Sequence, residues 1–452
     1  MLVSDEGPET QYASVGADRI AFQVFGDGDI DLLIAMPSGD PIDMCWYWPP
    51  YAKFLNTLGT QARVIMFDRR GSGSSDRASG EPLSSWEQWA DDAHAVLDAV
   101  DSQRAVLLGL IDGGPIAILF AASHPARTRG LILANAAAAM GAAEIPENTM
   151  AWNPRVADEA ATREYIEAAW GTPALLEYAF PDASRDPDFV RFATRANRLS
   201  YSPSDASAIL AWQSLGDVRH VLPSVRVPTL VLHREETQIV PLDQARYLAE
   251  HIADAQLAVL PGRDAQLFNE PAEPGLQHIG EFLRGLRDTS VSHRALTSIL
   301  FTDFVGSTKH LAALGDHAWR NLLDSHDVIA RTVVEQHAGR LVKTTGDGIL
   351  ATFDGPGRAI RCSIALRDSL RPLGIEIRAG LHTGEVEIRG TDIAGIAVHI
   401  AARVLDSATG GELLVSPAVP MLVAGGGFEF EDRGNHELKG VDGAWQLFAV
   451  KA

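Results

Sequence analysis

The order of apolar runs changes once along this 452-residue chain, near residue 290, and that change sets two separate folding problems. Ahead of it, strand-length runs at 31–36, 62–67, 105–109, 128–135, 229–232 and 256–260 alternate with helical patterns such as 86–100 and 114–123. Alternation of this kind predicts a mostly parallel sheet with crossover helices. The stretch 137–212 has no strand runs and is rich in Ala, Glu and aromatics, which predicts a helical cap inserted between two strands. Beyond the change the order is strand, two helices, hairpin, helix, hairpin, helix and short strands. The strand is 295–302, the hairpins are 342–353 and 375–388, and the last long helix is 393–406. That order predicts an α+β sheet with its helices on one face. Residues 1–285 and 295–452 are the expected domains, and the short, polar, mixed-charge segment 286–294 is the expected linker.

Charge divides at the same place. The net charge is −21. Residues 291–452 hold 16 Lys and Arg against 19 Asp and Glu, which leaves 22 against 40 over 1–290. So acidic a front half argues against non-specific binding to nucleic acid or to an anionic membrane. No apolar run has the length of a membrane span, and the acidic start MLVSDEGPET does not read as a signal peptide. With only Cys45 and Cys362 there is no disulfide framework or Cys-rich zinc site, and a reducing cytoplasm fits.

The back half carries the clearest chemistry. Asp303 ends the apolar run Ile299-Leu300-Phe301 and is followed by Val305-Gly306-Ser307-Thr308, which opens a helix. Backbone N–H groups at such a strand-to-helix turn, here from Phe304, Val305 and Gly306 onward, form an anion site suited to phosphate. Asp347 lies between two glycines in the next hairpin turn, where a ligand can approach the backbone. If the two strands are neighbours, both carboxylates converge beside the phosphate cradle. Two hard-oxygen ligands plus substrate phosphates is how Mg²⁺ is usually held. Taken singly, Asp303 could be a helix cap and Asp347-Gly348 only a hairpin turn. Taken together with Lys343, Asp392, His399, Arg403 and Lys439, they outweigh those readings.

On these motifs residues 295–450 resemble the class III adenylyl/guanylyl cyclase domain over its whole length. The resemblance implies conversion of ATP to cyclic AMP and pyrophosphate, with two Mg²⁺ or Mn²⁺ ions per site. It implies Asp303 and Asp347 as metal ligands, Lys343 and Asp392 as the purine-reading pair, Arg403 as the transition-state cation and Lys439 as a triphosphate contact. An ammonium can donate to adenine N1 and a carboxylate can accept from the N6 amino group; guanine presents the opposite pattern. Arg378 matches a second triphosphate contact, with a salt bridge on the sheet as the equal alternative. His399 stands where the family usually has the Asn that steadies the ribose, one helical turn before Arg403. A neutral imidazole can still donate one hydrogen bond, so reduced, pH-sensitive activity is expected; a solvent-facing or core histidine is the alternative. In this family the metal aspartates face the purine and arginine residues across a dimer interface. The chain carries both halves, so a homodimer with two composite sites is implied.

The front half carries a second resemblance. Asp68-Arg69-Arg70-Gly71-Ser72-Gly73 follows a strand as in α/β-hydrolases, whose next signature is G-x-S-x-G, a strained elbow bearing the nucleophile. Here Gly109-Leu110-Ile111-Asp112-Gly113 keeps the glycines but puts Ile111 at the serine position. A β-branched residue is poorly tolerated there unless the turn relaxes. The acid position, before Val240-Pro241, is Thr237, and the histidine position after Gly262 is Ala265. Asp112 as a slipped nucleophile, or Glu235 and Glu236 as stand-in acids, could leave residual hydrolysis. A scaffold or ligand-sensing pocket is the preferred reading. The aromatic run Met44-Cys45-Trp46-Tyr47-Trp48 is a candidate pocket wall, with core packing as the safer alternative. Two further readings stand beside the cyclase: an esterase-like hydrolase with a degenerate cyclase as dimerisation module, and a non-catalytic nucleotide sensor.

Overall fold

The computed structural model describes residues 7–77, 86–139, 159–214, 216–286, 294–389 and 392–451. Two compact units divide the chain, Met1–Ser292 and His293–Ala452. Residues 287–293 of the expected linker and 140–158 of the expected cap lie outside the described residues.

The first unit is built on an eight-stranded sheet of β1 (Gln11–Val15), β2 (Asp18–Phe25), β3 (Asp31–Ala35), β4 (Arg63–Phe67), β5 (Ala105–Leu110), β6 (Thr128–Ala134), β7 (Thr229–Arg234) and β8 (Gln256–Leu260). The spatial order is β1-β2-β4-β3-β5-β6-β7-β8. Strands β4 to β8 pair in parallel, and β1 and β2 join antiparallel at one edge. Every residue of β5 is buried, because helices cover both faces of a parallel sheet. Those helices are α1 (Pro49–Gly59), α2 (Trp86–Ala99) and α3 (Gly114–Ser123), with α4 (Glu159–Ala169), α5 (Leu176–Ala179), α6 (Pro187–Ser200) and α7 (Pro203–Ser214) in the cap, then α8 (Leu242–His251) and α9 (Glu273–Gly285). Helix α3 is apolar around its whole circumference and is buried from Gly114 to Ala122. The first unit has the α/β-hydrolase fold.

The second unit runs β9 (Arg294–Phe304), α10 (Ser307–Gln336), β10 (Arg340–Thr344), β11 (Ile349–Phe353), α11 (Pro356–Leu370), β12 (Ile377–Arg389), β13 (Asp392–Ala394), α12 (Ile396–Ser407), β14 (Leu413–Val415), α13 (Ala418–Leu422), β15 (Glu429–Glu437) and β16 (Ala444–Lys451). Its sheet order is β10-β11-β9-β12-β14-β16-β15, with β13 paired to β12. This is the α+β class III cyclase fold.

Three expectations need correction. The helices do not share one face. Leu300 belongs to a core with Ala330 of α10 and Leu366 of α11, whereas its neighbour Ile299 belongs to one with Ala397 and Ala401 of α12. Consecutive strand residues point to opposite faces, so α12 covers the face that α10 and α11 do not. The segment 375–388 is not a hairpin. Instead β12 is one strand antiparallel to β9 from Ile377–Phe304 to Glu387–Arg294, and it folds back only at β13. The last long helix starts at Ile396 rather than 393, after Gly395 at φ 130. The two helices expected after β9 are present within α10, joined at Gly315, whose φ of 76 and ψ of 163 are not helical.

One close approach positions everything downstream. A Cβ added to Gly348 would sit 1.9 Å from the Thr302 carbonyl oxygen. Only glycine lets the turn before β11 lie flat against β9. Gly348→Ala is expected to destabilise the second unit by about 2–3 kcal/mol through backbone displacement. Urea unfolding followed in the full chain measures this, and a change below about 0.5 kcal/mol would contradict the tight contact.

Candidate functional site

In the second unit, β9 and β11 bring the two expected metal aspartates together. Phe304 N–H donates to the Asp347 carbonyl at 3.1 Å, and Ile349 N–H donates to the Thr302 hydroxyl at 3.3 Å. Asp303 at the end of β9 therefore lies beside the Gly346-Asp347-Gly348 turn. Both residues are partly exposed. The Asp303 carboxylate accepts from Arg378 Nη2 at 2.7 Å and Nε at 3.1 Å, since Arg378 pairs with Asp303 across β12 and β9. Of the two readings open for Arg378, the salt bridge is the arrangement present.

The phosphate cradle begins later than expected. Phe304 N–H is spent on Asp347, Val305 N–H donates to the Glu376 carbonyl at 2.9 Å, and the Phe304 ring packs edge-on against Trp319 and His326. The amides at the start of α10, from Ser307, follow Gly306 in left-handed conformation at φ 72 with no side-chain cap. These orphan donors, rather than those of Phe304 and Val305, are available to an anion.

A second group forms around α12 and its flanking strands. Lys343 on β10 donates to both oxygens of Asp392, at 2.8 and 3.0 Å. That ammonium, followed by the Ile393 amide, holds the Asp392 carboxyl below its usual range. Arg403 on α12 donates from Nε to the Lys439 carbonyl at 3.1 Å and from Nη1 to Asp406 at 2.7 Å. Arg403 and the Lys439 backbone are thereby tied together, with the Lys439 side chain exposed. His399 is exposed on the same helix, one turn before Arg403, so the core-histidine alternative is excluded.

In the first unit the expected elbow is present, with Ile111 at the position expected for serine. Ile111 keeps φ 50, so the turn has not relaxed, and it opens a short 3-10 turn between β5 and α3. A Cβ at Gly113 would lie 2.2 Å from the Ala35 carbonyl oxygen, which explains the retained glycine. Ile111 packs with Ala265, Ile239, Val240 and Ala137, so the nucleophile and base positions now meet as hydrocarbon. The Thr237 hydroxyl is buried without a hydrogen-bond partner, and Glu235 and Glu236 face solvent. Asp112 is fully engaged: it pairs with buried Arg69 at 2.7 Å and accepts from Ser38 N–H at 3.1 Å and Ser38 Oγ at 2.8 Å. Arg69 also donates to the Met36 carbonyl.

Beside the elbow lies a cavity of about 810 Å³, counted to its open mouth. Trp170, Leu176, Phe180, Phe189, Phe192 and Phe268 form its apolar walls. The aromatic run 44–48 does not line it. Trp46 donates to Gln23 within the core, and Trp48 packs behind the wall against Phe189 and Phe192. Two polar lining residues, Asp40 and Gln266, were not picked out from sequence, although Ser38-Gly39-Asp40 directly after a buried strand was an available signal.

A family model described as serine aminopeptidase, S33, matches residues 44–272, and one described as the adenylate and guanylate cyclase catalytic domain matches 291–452. The chain is 29% identical over 158 residues to a Rhizobium meliloti protein provisionally named adenylate cyclase 3; the match covers 33% of this chain and only 27% of that protein. It is also 29% identical over 226 residues to a 2-hydroxymuconate semialdehyde hydrolase of a Pseudomonas species, covering 47% of this chain and 73% of that protein. Among solved structures, the adenylyl cyclase CyaB of P. aeruginosa aligns with 35% of this chain and 95% of its own, at 22% identity and a TM-score of 0.33. The chain thus belongs to the S33 α/β-hydrolase family through its first unit and carries a class III adenylate/guanylate cyclase catalytic domain in its second.

Proposed function

We propose that the chain is a homodimeric adenylyl cyclase making cyclic AMP and pyrophosphate from ATP, whose hydrolase-fold unit binds a small regulatory ligand and no longer hydrolyses one. The observation that carries this reading is the adjacency of Asp303 and Asp347, together with a separate Lys343–Asp392 pair. The first group offers hard oxygens and uncapped amides to a metal-bound triphosphate. The second offers a donor and an acceptor side by side to a purine edge.

The donor set fits Mg²⁺ or Mn²⁺, two per site. Among the described residues no three or more His, Cys, Asp and Glu gather into a complete cage, which suits cations that take their remaining ligands from nucleotide phosphates. Asp303 and Asp347 would hold such ions, which would supply charge neutralisation and acidify the ribose 3′-hydroxyl. Arg378 is paired with Asp303 and is the guanidinium that would turn to the triphosphate once Asp303 is engaged. Lys343 donates to adenine N1 and Asp392 accepts from the N6 amino group, the pattern that favours ATP over GTP. Arg403 presents a fixed cation to the charge that develops on the α-phosphate, and Lys439 binds the departing pyrophosphate. His399 steadies the ribose with one hydrogen bond.

Both groups lie on one chain, so a two-fold dimer facing one protomer's aspartates to its partner's purine pair makes two equal sites. An ATP-consuming reaction and two buried free thiols fit a cytoplasmic location. Among the described residues no helix is long and apolar enough to cross a membrane.

Purified full-length protein with ATP and Mn²⁺ should form cyclic AMP, and Asp303→Ala or Arg403→Ala should each lower the rate by at least about 100-fold. Mixing those two variants should restore up to about a quarter of wild-type activity, because one heterodimer site regains all its residues. Absence of product, or no rescue on mixing, contradicts the reading. Neither p-nitrophenyl ester hydrolysis nor its loss in Asp112→Ala is expected. His399→Asn should keep or raise turnover, because the amide can donate the same single hydrogen bond. A total loss of activity would give the imidazole a role that asparagine cannot fill.

A further inference from the structure

The proposed ligand-binding role for the first unit leaves the ligand's chemistry open, and the polar residues of the cavity narrow it. Among the described residues two carboxylates line the cavity, Asp40 and Asp112, and no Lys or Arg does. Asp112 already has its cation, the buried Arg69 behind it, and its other contacts go to Ser38. Asp40 has none. Its carboxylate accepts from Gln266 Nε2 at 2.7 Å and from the Tyr51 hydroxyl at 3.4 Å, both neutral. The other titratable group against it is the Cys45 thiol, which burial and Asp40 itself push far above its usual range.

Removal from water raises the Asp40 carboxyl to about 7, with the nearby Asp112 charge pushing the same way and Tyr51 opposing. A half-buried carboxylate with only neutral hydrogen-bond partners is costly, and a cation is the partner that relieves it. The walls are apolar and aromatic, so the rest of the ligand must be hydrocarbon, and ring faces add attraction for an ammonium passing them. The elbow offers no covalent chemistry: Ile111 and Ala265 close the former nucleophile and base positions with hydrocarbon. An acyl or carboxylate ligand would meet Asp40 and Asp112 with no lining cation among the described residues to hold it.

We infer that this cavity binds a cationic amphiphile, an amine on an aromatic or aliphatic body, with its ammonium on Asp40 and its hydrocarbon among Trp170, Phe189, Phe192 and Phe268. The inference rests on the reading of the first unit as a ligand-binding module. It goes beyond that reading by fixing the sign of the ligand's charge and the residue that reads it.

The test compares three probes of one shape by calorimetry on the full chain at pH 8: phenylbutylamine, phenylbutanol and phenylbutanoate. The amine should bind at least about tenfold more tightly than the alcohol, and the carboxylate more weakly than either. In Asp40→Asn the amine should fall to within about twofold of the alcohol, while the alcohol's own affinity stays near wild type. If the alcohol binds wild type as well as the amine does, or the amine's preference survives Asp40→Asn, the cationic assignment is overturned while the pocket stands. If none of the three binds, the ligand-binding module itself fails. The variant's fold is read from its thermal midpoint. A raised folded-state pKa costs stability as pH climbs from about 4 to about 7, so the neutral amide should raise the midpoint at pH 8 and leave it nearly unchanged at pH 4. An unchanged midpoint at pH 8 would mean a solvated Asp40 and would also overturn the assignment.

Discussion

The approach of the Gly348 backbone to the Thr302 carbonyl is the constraint on which the second unit turns. With no side chain in the way, the turn carrying Asp347 seats against the end of β9, and Phe304 N–H closes onto the Asp347 carbonyl. Two carboxylates from segments more than forty residues apart are then held by strand pairing, not by flexible side chains reaching out. Preorganisation of that kind costs nothing further when a charged ligand arrives. It also concentrates negative charge, and Arg378, one strand over, offsets it in the ligand-free chain.

The first unit shows the opposite fate of a site. Its backbone machinery is kept: the positive φ at residue 111, the close glycine at 113 and the cavity above them. On the proposed reading, the positions of the hydrolytic side chains hold Ile111, Thr237 and Ala265. Holding a β-branched residue at φ 50 costs about 1–3 kcal/mol, so the surrounding packing of Ile239, Val240 and Ala265 must over-determine the turn. A chain that retains the shape of a pocket while its chemistry is replaced by hydrocarbon is suited to holding a molecule unchanged. That physical contrast underlies the regulatory reading of the front half.

Much of this was legible in the sequence, and the failures have identifiable causes. The parallel strands announced themselves because both faces are buried; Ala105–Leu110 is apolar at every position save a glycine. The hairpin β1–β2 went unread because its first strand is mostly solvent-facing and mixes Gln, Tyr, Ser and Val without an unbroken apolar run. The 13-residue β12 looked like a hairpin because His382, Thr383 and Gly384 interrupt its apolar pattern at a plausible turn. In fact His382 is a buried hydrogen-bond partner of Ser416, and the strand runs straight through. The single-face layering failed because order along the chain does not say which side of a sheet a helix returns to. At the site, residue types and spacing single out candidate side chains, but which backbone amides stay free is not a local matter: Phe304 donates to Asp347 and Val305 to Glu376, both distant in sequence. Asp40 is hidden from a sequence reading for the same reason: that its partners among the described residues are all neutral is a property of three dimensions.

On the proposed function, one protomer's aspartates and its partner's purine pair meet around a single nucleotide. A crystal of the full chain grown with a non-reactive ATP analogue and Mn²⁺ would show this arrangement. Anomalous manganese peaks are expected between Asp303 and Asp347 of one protomer, with the adenine edge against Lys343 and Asp392 of the other. A nucleotide bound wholly within one protomer, or one bound with no manganese at those carboxylates, would contradict it.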